Sequence, residues 1–145
     1  MIETIWGIVL IVLGLLAWGG QTLSRFAPDT ATKLSLVEKK ESVEPLYWAD
    51  IRGEALWDFL TLWTLVVAGV FLLFDHQAWP YFGLVGGSIY LYFGGRGILT
   101  RVEIQRADFR VGDPKNVQLG LVMLAVWGGV GLITTVAAAG SLAGS

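Results

Sequence analysis

Six charged side chains stand where two long apolar runs begin and end: Arg52, Glu54 and Asp58 before and within the first, Arg96, Arg101 and Glu103 at the close of the second. Acids and bases in such places have two uses. They can hold an ion or pass a proton, or they can neutralise one another and fix the register of two adjacent helices. Glu54, Asp58 and Thr61 fall at i, i+4 and i+7, one side of a helix. Taking Gln77 as the fold point, Asp58 is nineteen residues before it and Arg96 nineteen after. The same reflection sets Glu54 near Arg101 and Arg52 near Glu103. The spacing therefore predicts three acid–base pairs, Asp58–Arg96 foremost. A carboxylate at the bilayer centre costs roughly 2.5–3.5 kcal/mol on insertion scales, which is the reason to pair it. Neutralisation is the preferred reading over an ion site.

The elements that must carry these charges are membrane helices. Residues 56–74 contain one charge, Asp58, among Leu, Val, Phe, Trp, Ala, Gly and Thr. Nineteen residues rise about 28 Å, close to the ~30 Å hydrocarbon thickness. A short turn at Asp75, His76 and Gln77 leads into a second run, 78–99, so the two spans are antiparallel neighbours. Gly83 and Gly87 in that run match the small-xxx-small packing pattern. Residues 4–23 form a first span, without the basic start of a signal peptide and with Gly7 and Gly14 on one face. Residues 117–139 form the last, where Ala125 and Gly129 repeat the packing pattern beside a Gly128, Gly131, Thr135 strip.

Composition agrees. The chain is 145 residues, 54% hydrophobic and only 15% charged, with mean hydropathy +0.63; soluble domains hold about 25% charged residues. A net charge of −2 gives no nucleic-acid footprint. With no Cys, one His and no metal-ligand spacing, neither metal nor cofactor is expected.

The connection 24–55 is too apolar for a disordered linker. Pro45 suits a first helical turn, and Tyr47, Trp48, Ile51 and Ala55 share a face. The expected element is an amphipathic helix on the membrane surface, bending near Gly53 into the second span. The connection 100–116 reads equally as a short hairpin, with Val102/Ile104 and Phe109/Val111 alternating, or as a helical extension. Asp113 and Pro114 form an N-cap and first-turn pair for the last helix, and the tail 140–145 is expected to fray.

All ten Lys and Arg fall in or beside the two long connections: Arg25, Lys33, Lys39, Lys40 and Arg52, then Arg96, Arg101, Arg106, Arg110 and Lys115. The opposite side has Glu3, Asp75 and His76. By the positive-inside rule both connections are cytoplasmic and both termini outside, as in a bacterial inner membrane.

The sequence thus describes an all-α integral membrane protein: four transmembrane helices in an antiparallel bundle, with an amphipathic cytoplasmic segment between helices one and two. It holds no nucleophile with a base, so an enzyme is the weakest class. The leading class is a structural or accessory protein packing through glycine faces with itself or a membrane partner. The alternative is an oligomeric channel or transporter with Glu54 and Asp58 at its cytoplasmic mouth.

Overall fold

The structure, a computed structural model, describes residues 1–144; Ser145, the end of the tail expected to fray, lies outside the described residues. Its elements are α1 (Ile2–Phe26), α2 (Pro28–Lys33), a 3₁₀ turn (Lys40–Ser42), α3 (Pro45–Thr61), α4 (Trp63–Leu73), α5 (Trp79–Arg106) and α6 (Pro114–Ala143). Among the described residues there is no strand, only an isolated antiparallel bridge between Val43 and Val111. Three helical stretches, Ile2–Phe26, Pro45–Leu73 and Pro114–Ala143, are long and apolar enough to cross a membrane. The 28-residue α5 stands outside that group because its glycines and Arg96 lower its hydropathy. It packs between α4 and α6.

Each neighbouring pair runs antiparallel, as the contacts show. Along α1, Gly7 meets Gly69 and Leu73, Gly14 meets Val66, and Trp18 meets Phe59. Between α4 and α5, Phe71 meets Phe82 and Gly86 meets Leu65. Between α5 and α6, Gly83 meets Ala138, Gly87 meets Gly131 and Thr135, and Gly94 meets Gly128. A Cβ on Gly131 would stand 2.5 Å from the Leu91 amide nitrogen. Only glycine lets the two backbones come this close. The core between these helices is Leu10, Ala17, Leu62, Leu65, Ala68, Leu72, Tyr90, Phe93 and Leu124.

Several expectations are corrected. The helix holding Glu54 does not bend near Gly53; it runs unbroken from Pro45 and breaks at Leu62. The cause is a set of side-chain donors competing for backbone carbonyls. The Trp63 indole takes the Leu60 carbonyl at 2.8 Å, Thr64 Oγ1 takes that of Thr61 at 2.7 Å, and Tyr90 Oη takes that of Leu62 at 3.2 Å. The face holding Tyr47, Trp48 and Ile51 covers protein, not lipid. It packs with Val43, Ile104, Val111, Val117 and Leu121 in a second, smaller core.

Of the two small-residue faces expected on α6, the Gly128, Gly131, Thr135 strip is the one that packs against α5. Gly83 and Gly87 lie in the seam, but Ala125 and Gly129 are exposed, with open space beside Gly129. The 3.6-residue period puts Leu124, Gly128, Gly131 and Thr135 toward α5 instead. Residues 100–106 extend α5 as helix, and the hairpin reading is overturned; the chain then turns and bridges back at Val111. Asp113 caps α6, its Oδ1 accepting from the Lys115 amide at 3.0 Å, with Pro114 in the first turn. That helix continues to Ala143, past the point expected to fray.

Candidate functional site

Because α3 is one helix from Pro45, three acids rather than two share its face: Asp50, Glu54 and Asp58, at i, i+4 and i+8. Arg96 reaches them from α5. Its Nη2 donates to Asp50 Oδ1 at 2.8 Å and Oδ2 at 3.1 Å. Its Nη1 lies 2.8 Å from Glu54 Oε1, an ion-pair distance outside hydrogen-bond alignment. The side chains are 28% exposed for Arg96, 39% for Asp50 and 20% for Glu54. Arg96 is therefore a bridge between two acids, and Asp50 is the site residue that the sequence reading missed. Its signal was the four-residue spacing, hidden by placing the helix start after a bend.

The expected Asp58–Arg96 pair does not form. Asp58 is 4% exposed and its Oδ2 has no hydrogen-bond partner among the described residues. One turn deeper than Glu54, it loses the competition for the guanidinium to acids nearer the α3 N-terminus. Asp58 instead lines a groove of about 420 Å³ with Gly53, Trp57 and Tyr92. The other two expected pairs are replaced as well. Arg52 Nη1 donates to the Ser24 carbonyl at 2.7 Å, tying α3 to the end of α1. Glu103 takes Arg106 at 2.7 Å on the surface, an i,i+3 pair with both partners mostly exposed. Arg101 Nη1 donates to Gly97 in its own helix at 2.9 Å and makes no ion pair among the described residues. The reflection about Gln77 set Arg96 level with Asp58, whereas its guanidinium meets the acids one and two turns nearer the α3 N-terminus on the same face.

The two connections clasp each other. The Glu44 amide donates to the Arg110 carbonyl at 3.0 Å, and Glu44 Oε1 accepts from the Arg110 amide and Nε, each at 3.2 Å. These donors hold the Glu44 carboxyl below its ordinary value. Glu38 Oε2 accepts from the Asp113 amide at 3.2 Å. Burial pushes the Glu38 carboxyl up, against the opposing effect of that amide, Asn116 and the Arg101 charge.

Two cavities lie along the seam between α1 and α6, which the Trp127 indole bridges by donating to the Leu13 carbonyl at 3.0 Å. At the connection end a cavity of about 250 Å³ is lined by Gln21, Glu38, Glu54, Arg101, Asn116 and Trp127 among others. At the far end a more apolar one of about 540 Å³ is lined by Trp6, Trp79 and Ile133 among others. His76 closes the turn between α4 and α5: Nδ1 accepts from the Ala78 amide at 3.1 Å, and the ring stacks on Phe71. Among the described residues, no group of three or more His, Cys, Asp or Glu could hold a metal ion. Comparison with protein-family models, with curated proteins and with solved structures finds no match for this chain.

Proposed function

We propose that the chain is a small four-span integral membrane protein of structural or accessory type, packing with itself or a membrane partner. In this reading α5 is the fourth span. Packed between α4 and α6, it needs less apolar surface than helices that face lipid on several sides. The arrangement is an antiparallel bundle of four transmembrane helices in a bacterial inner membrane, both termini outside and both connections cytoplasmic. Cysteines at Ser42 and Ser145 then label from opposite sides, and labelling from one side overturns the topology.

The observation that carries the reading is the packed core of α1, α4 and α5 beyond Leu62, beside which the far-end cavity is apolar. Leu10, Leu62, Leu65, Ala68 and Tyr90 are fully buried there, and no ionisable acid or base follows Asp58 along α4. At the connection end, Arg96 is answered by Asp50 and Glu54, and Arg110 by Glu44. The seam glycines hold the chain to itself, while Ala125 and Gly129 face outward, where a second helix can approach closely.

One observation favours the alternative, an oligomeric channel or transporter entered at Glu54 and Asp58: the unpartnered Asp58 Oδ2 beside its groove. Flux from proteoliposomes decides. The packing reading expects no ion or proton leak above protein-free vesicles, and self-association or a co-purifying membrane protein. A leak removed by Asp58→Asn overturns it.

A further inference from the structure

The cavity at the connection end carries an arrangement of charge that the packing role does not use. Arg101 lines it and donates to the Gly97 carbonyl of its own helix at 2.9 Å, with no ion pair among the described residues. Glu38 and Glu54 line the same cavity, and neither forms an ion pair with Arg101. One cation and two carboxylates thus line one cavity without an ion pair between the cation and either carboxylate. Glu54 is half-answered from behind by Arg96, at 2.8 Å. Gln21, Ser24 and Asn116 add neutral hydrogen-bonding groups to the lining. Leu16 and Leu119, also in the lining, are 56% and 55% exposed on the outer faces of α1 and α6. The cavity therefore opens sideways between those helices, toward the acyl region of the surrounding bilayer. Trp127, bound to the Leu13 carbonyl, closes its deep end.

We propose that this cavity binds the headgroup of a zwitterionic phospholipid with a primary ammonium, a phosphatidylethanolamine, entering from the side. The phosphate takes the Arg101 guanidinium, which matches phosphate oxygens bidentately. The ammonium, two carbons away, donates to the carboxylates of Glu38 and Glu54. The glycerol and acyl chains lie along Leu16, Leu119 and Met123. Each partner discriminates. A choline headgroup has no N–H to donate to the glutamates, and a glycerol headgroup brings no cation to offset them. The volume of about 250 Å³ accommodates a headgroup and not a whole lipid, so the chains remain outside on the helix surfaces.

The inference rests on the membrane-spanning reading, and the test separates the two. The chain is purified in dodecyl maltoside and offered an equimolar mixture of dioleoyl phosphatidylethanolamine, phosphatidylcholine and phosphatidylglycerol. Retained lipid is then read by native mass spectrometry. Phosphatidylethanolamine should be retained about 10-fold or more over the others, the scale of one charge-assisted hydrogen bond. Arg101→Gln should remove that preference, whereas Arg106→Gln, at a surface pair, should leave it intact. Glu38→Gln should narrow the difference between phosphatidylethanolamine and phosphatidylglycerol, which keeps the idea testable if Arg101→Gln does not fold. Equal retention of the three lipids, a phosphatidylglycerol preference, or an unchanged Arg101→Gln profile overturns the site. Competition by glycerophosphoethanolamine as strong as by the lipid makes the ligand a soluble headgroup and overturns lateral entry. A chain that partitions into water without detergent overturns the spanning reading and this inference with it.

Discussion

Replacing Arg96 tests how the polar cluster is wired. Arg96 sits between Glu54 and Asp50, with all three side chains partly screened by solvent. Removing one partner of a fully buried ion pair costs about 3–5 kcal/mol; at these exposures about half is retained. Arg96→Met should therefore destabilise by about 2–3 kcal/mol, Glu54→Gln by about 1–2, and Asp50→Asn, the more exposed acid, by under ~1. The decisive quantity is the coupling in double-mutant cycles. Arg96 and Glu54 should couple by about 1–2 kcal/mol, Arg96 and Asp50 by about 0.5, and Arg96 and Asp58 by less than the roughly 0.5 expected of independent sites. It follows that Asp58→Leu gains nothing from adding Arg96→Met. Unfolding in mixed detergent micelles, followed by helical circular dichroism, supplies the free energies. A coupling of Arg96 to Asp58 equal to or larger than its coupling to Glu54 refutes the wiring described here.

Tyr90→Phe removes the hydroxyl that reaches the Gly14 carbonyl at 3.1 Å and the Leu62 carbonyl at 3.2 Å; it should cost about 1–2 kcal/mol, while Tyr92→Phe, on an exposed side chain, leaves the unfolding midpoint unchanged. Gly131→Leu should prevent α5 and α6 from closing, since its Cβ would stand 2.5 Å from the Leu91 nitrogen. Gly129→Leu, facing open space, should keep the parent's unfolding midpoint by helical circular dichroism. Stability should also respond to pH through Glu38. Its carboxyl is raised above the ordinary 4.5 by burial, so its proton favours the folded clasp. That contribution is fully present below the ordinary value and is lost as pH rises through the raised one. Melting midpoints taken between pH 4 and 8 should show this slope in the parent, flattened in Glu38→Gln. Glu44, lowered by Arg110, acts in the opposite sense: its contribution is present above the ordinary value and lost on acidification.

The helices were legible because their signal is long and redundant: nineteen residues with one charge admit few readings. The level of the charges was legible to within a turn or two, since counting from a tight turn fixes rise along both helices. Rotation was not: which of the two small-residue faces of α6 meets α5 depends on angles of 100° per residue. The acid partner of Arg96 was missed along a single face, because the guanidinium reaches past Asp58 to Glu54 and Asp50. The bend was misplaced at Gly53 because glycine is the usual suspect, whereas the actual break at Leu62 is made by Trp63, Thr64 and Tyr90 acting on carbonyls. Tyr90 comes from another helix, so no local pattern announces it. The clasp between the connections was invisible likewise, because its bonds join segments 66 or more residues apart.

That long-range grip sets a timetable for biogenesis. The amide of Glu44 and the strand-like backbone at Val43 have nothing to pair with until Arg110 and Val111 have left the ribosome. During that interval the first hairpin is fastened at its connection end by Arg52 on Ser24, Trp18 on the Phe59 carbonyl and Phe26 against the Phe59 ring. Truncation before residue 110 should leave a species that enters the bilayer yet stays open to proteases at residues 34–44, and completion of the second connection is the step that shuts it.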